Sequence, residues 1–124
     1  MKWKKRSILE LADMICGDDV HFKYRSSSKI TSFFEDCDLN FVHDGSTRRL
    51  WVAEKISEVL TLPSAGPNIP QEAFIKIIRA LMDKTEAQVA DPERRKALTS
   101  INNVLAREGW EAFYDENNIG QIRH

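Results

Sequence analysis

Apolar residues recur at helical spacing in five stretches of the chain. Ile8, Leu11, Ala12 and Ile15 form the first, with Ser7 and Glu10 spaced as a capping box and Gly17 as the stop. The second sets Ile30, Phe33, Phe34 and Cys37 behind Ser26, Ser27 and Ser28, any of which suits an N-cap. The third spans 47–60, with Trp51, Val52, Ile56, Val59 and Leu60 on one face. Pro70 stands as an N1 proline for the fourth, whose stripe is Ala73, Phe74, Ile77, Ile78, Leu81 and Met82. Asp91-Pro92-Glu93 announces the fifth as N-cap, N1 proline and first-turn acid. Ala97, Leu98, Ile101, Val104 and Leu105 face inward, and Gly109 ends it.

Elsewhere the period changes. "DLNFVHDGS" offers Leu39, Phe41 and Val42 as a very short strand or a packed loop that ends in the Asp44-Gly45 turn. "WEAFYDENNIGQIRH" reads as a hairpin turning near Glu116-Asn117-Asn118. The expected fold is therefore mainly α: a compact bundle of about five helices with a small C-terminal β-hairpin, an α+β arrangement. A helix followed by a hairpin also resembles a winged helix, although the upstream helices lack helix-turn-helix spacing. "TLPSAGPNIP" (61–70) is a breaker-rich linker between two helical parts, neither large enough to stand alone. Residues 1–124 are accordingly expected to form a single domain.

Composition narrows the function classes. At 42% apolar and 30% charged, the chain is an ordinary globular sequence. Its formal net charge of −1 argues against a globally basic nucleic-acid binder while leaving room for a local basic patch. "MKWKKR" concentrates cations around Trp3, which suits nucleic acid or an acidic partner, or else a solubilising terminus. No apolar run is long enough to span a bilayer and no signal peptide follows the basic start, so the expectation is a cytoplasmic protein with no membrane partner. Cys16 and Cys37 lie in apolar helical phase and read as reduced core residues.

The chemistry that stands out is doubled. "YRSSS" supplies Tyr24, Arg25, Ser26, Ser27 and Ser28, and "HDGSTRR" supplies His43, Asp44, Gly45, Ser46, Thr47, Arg48 and Arg49. Each precedes a helical run. Helix N-termini expose N–H groups, hydroxyls add donors, and Arg provides a fork for phosphate or carboxylate. If both segments face one cleft they make a phosphate site. The competing reading has the serines capping and the arginines pairing with Asp36, Asp38 or Asp44. Solvent-facing arginines favour the first, carboxylate-paired arginines the second.

Other chemistries fare worse. A triad from Ser26–Ser28, His43 and Asp44 lacks a Gly-x-Ser-x-Gly elbow, and its His and Asp are adjacent. Cys16-x4-His21 and Cys37-x5-His43 are not tight zinc-ligand spacings. No P-loop, no dinucleotide fingerprint and no Arg-x4–6-His element is present. The expectation is a non-enzyme without metal or cofactor.

Segments 22–52 and 98–123, through their Tyr-Arg-Ser-Ser-Ser and His-Asp-Gly-Ser-Thr-Arg motifs, resemble the N-terminal domain of AbiJ-type bacterial abortive-infection proteins. The resemblance covers most of the chain. It implies a phage-defence domain that senses infection or regulates a C-terminal HEPN-type ribonuclease effector. These 124 residues carry no HEPN-like Arg-x4–6-His, so effector activity is not carried over, and the chain is expected to be an excised domain or a short stand-alone member. The reading that follows is a non-catalytic sensor or regulatory domain that binds a nucleotide or nucleic acid through residues 24–28 and 43–49. Arg25, Arg48 and Arg49 supply the charge and His43 is a switchable donor. The alternatives are a protein-interaction module in which these motifs are structural, engaging an effector domain or partner protein, and a winged-helix-type DNA binder.

Overall fold

In a computed structural model of the protein, residues 3–82, 91–117 and 119–124 are described, with the side chains of 91–94 excepted. Five α-helices lie among them: α1 (Lys5–Cys16), α2 (Ser27–Asp36), α3 (Arg48–Leu60), α4 (Glu72–Leu81) and α5 (Asp91–Leu105). A 3-10 turn (Ala106–Glu108) then leads to an antiparallel hairpin of β1 (Glu111–Tyr114) and β2 (Gly120–Arg123). The protein is a small mainly-α, α+β fold.

One cluster of buried side chains joins all five helices and the hairpin. Leu11 and Ile15 of α1 meet Ile30 and Phe34 of α2, Val52 and Ile56 of α3, Phe74 and Ile77 of α4, and Ile101 and Leu105 of α5. The 61–70 linker does not divide this core. Helices α1 and α3 pack most extensively on each other. That pairing brings the end of α1 against the start of α3.

Two local expectations need correction, at Ser7 and at Pro70. The capping box at Ser7 does not form, because α1 already begins at Lys5 and Ser7 is buried within it. Its Oγ donates to Glu108 Oε2 at 2.8 Å, and the Lys4 N–H donates to the same oxygen at 3.2 Å. A carboxylate from the far end of the chain thus serves the positive end of α1. Glu10, released from capping, pairs with Arg6 and Arg107. Pro70 is not N1: α4 starts at Glu72 with Gln71 as N-cap residue. The Gln71 amide instead donates back to Leu60 O and Leu62 O, at 2.9 and 3.2 Å, and closes the end of α3. Residues 39–42 take the packed-loop form of the two expected, with Leu39 and Phe41 half-buried against the core and Val42 exposed. Leu60 is half-buried and packs against the core. The cap chemistry expected of residues 91–93 lies outside the described side chains, as does Asn118 of the hairpin turn.

The hairpin is tied down on both sides. Asn102 of α5 accepts from the Ala112 N–H (2.6 Å) and donates to the Ala112 carbonyl (3.0 Å). Arg79 of α4 donates to Gly120 O at 3.0 Å, and the Tyr114 hydroxyl donates to Met82 O at 2.7 Å. Asp115 closes the turn by accepting from Asn117 N–H and Ile119 N–H. The strands are therefore part of the packed body and do not project as a wing. At the other end, Trp3 packs edge-to-face on Phe74 with centroids 5.1 Å apart, so the basic start is anchored by its aromatic residue.

Candidate functional site

The two Ser/Arg segments meet, and they meet at the C-terminus of α1. A helix leaves its last four carbonyls without partners inside the helix. Here all four are accounted for. Gly17 adopts left-handed backbone (φ 78°), so its own N–H reaches Met14 O at 3.2 Å and the Asp18 N–H reaches Asp13 O at 2.9 Å. This is the Schellman pattern, and it satisfies two of the four. Ile15 O accepts from Arg25 Nη1 at 3.0 Å. Cys16 O accepts from the Arg25 backbone N–H at 2.9 Å and from Arg48 Nη2 at 2.7 Å.

Arg48 makes the central link. While Nη2 holds Cys16 O, its Nε donates to Arg25 O at 3.0 Å. One planar guanidinium thus bridges the end of α1 and the entry to α2 from the first position of α3. Only Arg has the fork for this. The same group stacks over the Tyr24 ring at 4.6 Å and lies 3.7 Å from the Asp18 carboxylate. Arg25 is 6% exposed, its guanidinium 4.5 Å above the Phe33 ring. Arg49 forms a two-point pair with Asp13, Nε to Oδ1 at 2.6 Å and Nη2 to Oδ2 at 3.1 Å, with 44% of its side chain exposed. These cations also face the negative end of the α1 dipole, which adds to their stabilising effect.

The polar residues form a second layer. Ser26 is the N-cap residue of α2 and Thr47 that of α3, yet neither makes a side-chain cap bond. Ser27 Oγ lies 2.5 Å from His43 Nδ1, and the His43 backbone N–H donates to Thr31 Oγ1 at 3.0 Å. Ser26 and Ser28 share a 3.4 Å hydroxyl contact. The His43 ring sits edge-on to Trp51 at 4.9 Å, with Nε2 enclosed and without a hydrogen-bond partner. Asp44 accepts from the Ser46 N–H at 2.9 Å across Gly45, whose φ is 87°. Bonds from the Ser46 side chain and backbone, with His43 nearby, hold the Asp44 carboxyl below its ordinary range.

Chemically this is a clasp. The Ser27–His43 contact has the geometry of a nucleophile–base pair, but Asp44 is engaged with its own turn and no carboxylate reaches His43 Nε2 among the described residues. Cys16 and Cys37 are buried, and burial pushes their thiols up to about 11 and about 12, so neither is a ready thiolate. No group of three His, Cys, Asp or Glu side chains suited to a metal ion occurs among the described residues.

Sequence reasoning singled out the three arginines but not their partners. Asp36, Asp38 and Asp44 are the expected acids; Arg48 and Arg49 instead lie against Asp18 and Asp13, and main-chain carbonyls accept from Arg25 and Arg48. Carbonyls carry no sequence signal. Gly17, readable as a helix stop, was the available pointer to where the orphan carbonyls lie.

Comparison with protein-family models, curated proteins and solved structures gives no match for this chain. No helix among the described residues is long and apolar enough to cross a membrane.

Proposed function

We propose that this chain is a non-catalytic sensor or regulatory domain of a bacterial abortive-infection protein, acting on an effector domain or partner protein. In this reading residues 24–28 and 43–49 form the clasp that holds the domain together. The supporting observation is the engagement of Arg48 through Nε and Nη2, which bridge Arg25 O and Cys16 O. Arg25 and Arg49 are likewise held by α1, at Ile15 O and at Asp13. A ligand phosphate would have to displace these bonds. The defence role is supported by the resemblance of segments 22–52 and 98–123 to AbiJ-type N-terminal domains.

A second reading keeps a phosphate ligand at the start of α2. One observation favours it: residues 26–29 are exposed and α2 has no side-chain cap bond.

Amide-resolved NMR titration with inorganic phosphate separates the two. The clasp reading expects no saturable shifts at residues 26–28 or 47–50. Saturable shifts there, with loss of the Arg48 Nε–H signal's protection, would transfer the segments to the ligand reading. Plaque assays test the defence role: disrupting the gene for this chain in its natural locus abolishes phage restriction. Unchanged restriction would remove the assignment.

A further inference from the structure

Between α2 and α4 lies a cavity of about 530 Å³ that shares Tyr24 and Arg25 with the clasp and is otherwise lined by residues outside it. Its size is within the roughly 300–1,000 Å³ usual for small-molecule sites. Phe33 and Ala80 contribute apolar lining and Tyr24 an aromatic ring that remains 61% exposed. The charged lining is lopsided. Five cations, Lys23, Arg25, Lys29, Lys76 and Arg79, face two carboxylates, Asp36 and Asp38. That is an excess of three positive charges in a chain whose formal net charge is −1. A concave surface lined by one sign focuses the field and concentrates counter-ions.

The cations differ in how they are held. Lys76 is matched by Asp38 at 2.7 Å. Arg79 is oriented by neutral acceptors, Gly120 O at 3.0 Å and Gln121 Oε1 at 3.1 Å, which fix the guanidinium without cancelling its charge. Lys23 and Lys29 are exposed at the rim, and neither has a partner among the described residues. Fixed positive groups below and free lysines above make an anion site. The aromatic rim adds a preference. One face of Tyr24 carries the Arg48 guanidinium, and the exposed remainder of the ring offers a platform on which a base can stack.

We propose that the α2–α4 groove binds a nucleotide phosphate between Lys23, Lys29 and Arg79, with the base stacked on Tyr24. The phosphate comes from a free nucleotide or from the 5′ end of a nucleic-acid strand. The site supplies the sensor of the preceding section with its ligand. It rests on that reading only for its biological role, since the groove's charge and shape are properties of the fold.

Isothermal titration of the full chain at low salt tests the site with four probes: ADP, inorganic phosphate, a 5′-phosphorylated oligonucleotide and its 5′-hydroxyl counterpart. Lys23→Glu and Lys29→Glu are the site variants. Lys5→Glu, an exposed residue of α1 outside the groove, makes the same charge change elsewhere. Saturable ADP binding is expected, weakened about tenfold or more in either site variant and unaltered in Lys5→Glu. All three variants are expected to melt like the parent. Tyr24→Ala is expected to erase the preference for ADP over inorganic phosphate. Tighter binding of ADP than of the phosphorylated strand names free nucleotide as the source, and the reverse names the strand end. Absence of saturable binding by every phosphate probe overturns the proposal, and so does an equal loss in Lys5→Glu. Tighter competitive binding by an acidic peptide such as polyglutamate would reassign the groove. These outcomes are independent of the plaque assay, so a failed defence role and a failed groove are distinguishable.

Discussion

Arg48→Ala tests the clasp most directly. The substitution removes two hydrogen bonds from a charged donor, to Cys16 O and Arg25 O, and the stacking on Tyr24. A hydrogen bond to a charged group contributes roughly 1.5–3 kcal/mol. The Arg48 side chain is 26% exposed, so water partly re-solvates the two carbonyls and the low end of that range applies to each. With about 0.5 kcal/mol for an exposed cation–π contact, the expected loss is about 3.5 kcal/mol. For a chain of this size each kcal/mol lowers the melting temperature by about 4 °C, so the variant should melt about 14 °C below the parent. Arg49→Ala is the internal control: the same charge one residue away, in an exposed two-point pair with Asp13. Such pairs contribute at most about 1 kcal/mol. Arg48→Lys keeps the charge without the fork and should recover only a minor part of the loss. Calorimetry or circular-dichroism melts give all three numbers. If Arg48→Ala melts within about 2 °C of the parent, or if Arg49→Ala costs more, the account of the α1 terminus is wrong.

Three further outcomes follow from the same geometry. Gly17→Ala should destabilise by more than the roughly 1–2 kcal/mol of left-handed backbone alone, because a Cβ there overlaps the backbone of Lys23 and Tyr24. Gly45→Ala shares the positive φ but meets nothing within 4 Å, so denaturant melts of equal midpoint would refute the crowding at 17. Asn102→Ala removes both bonds to Ala112 and should cost about 2 kcal/mol, read as early exchange of the hairpin amides; unchanged exchange would mean α5 does not hold β1. Burial raises the Cys16 and Cys37 thiols above the ordinary value of 9, so the folded state keeps protons that the unfolded state releases. Their stabilising effect is complete below pH 9 and is lost as pH rises toward 11 and 12. Urea midpoints should therefore fall between pH 9 and 10.5 in the parent but stay flatter in a Cys16→Ala/Cys37→Ala variant, and a parallel slope in both would exclude the thiols as the cause.

Much of the fold is legible in the sequence because helical burial is periodic and local. Ile30, Phe33 and Phe34, or Phe74, Ile77 and Ile78, declare their faces without knowledge of any partner. Helix stops at Gly17 and Gly109 are equally local, since both require left-handed backbone. Helix starts were less legible. Ser7 has the spacing of a capping box, but Glu108 approaches from the opposite end of the chain and serves that terminus instead. Gln71 resembles nothing in particular until α3 is placed beside it.

The sequence by itself determined five amphipathic helices, a terminal hairpin, reduced buried cysteines and two segments dense in Ser and Arg. Tertiary structure decided what those segments do. Arg25, Arg48 and Arg49 are attached to α1 because the α1–α3 packing places unsatisfied carbonyls and the Asp13 carboxylate within reach of them. It also decided where positive charge accumulates, by setting Lys23 and Lys29 of the α2 region across from Arg79 of α4. Periodicity reports which face of a helix is buried. It cannot report which main-chain oxygens that burial leaves in need of a donor, because every residue carries the same one.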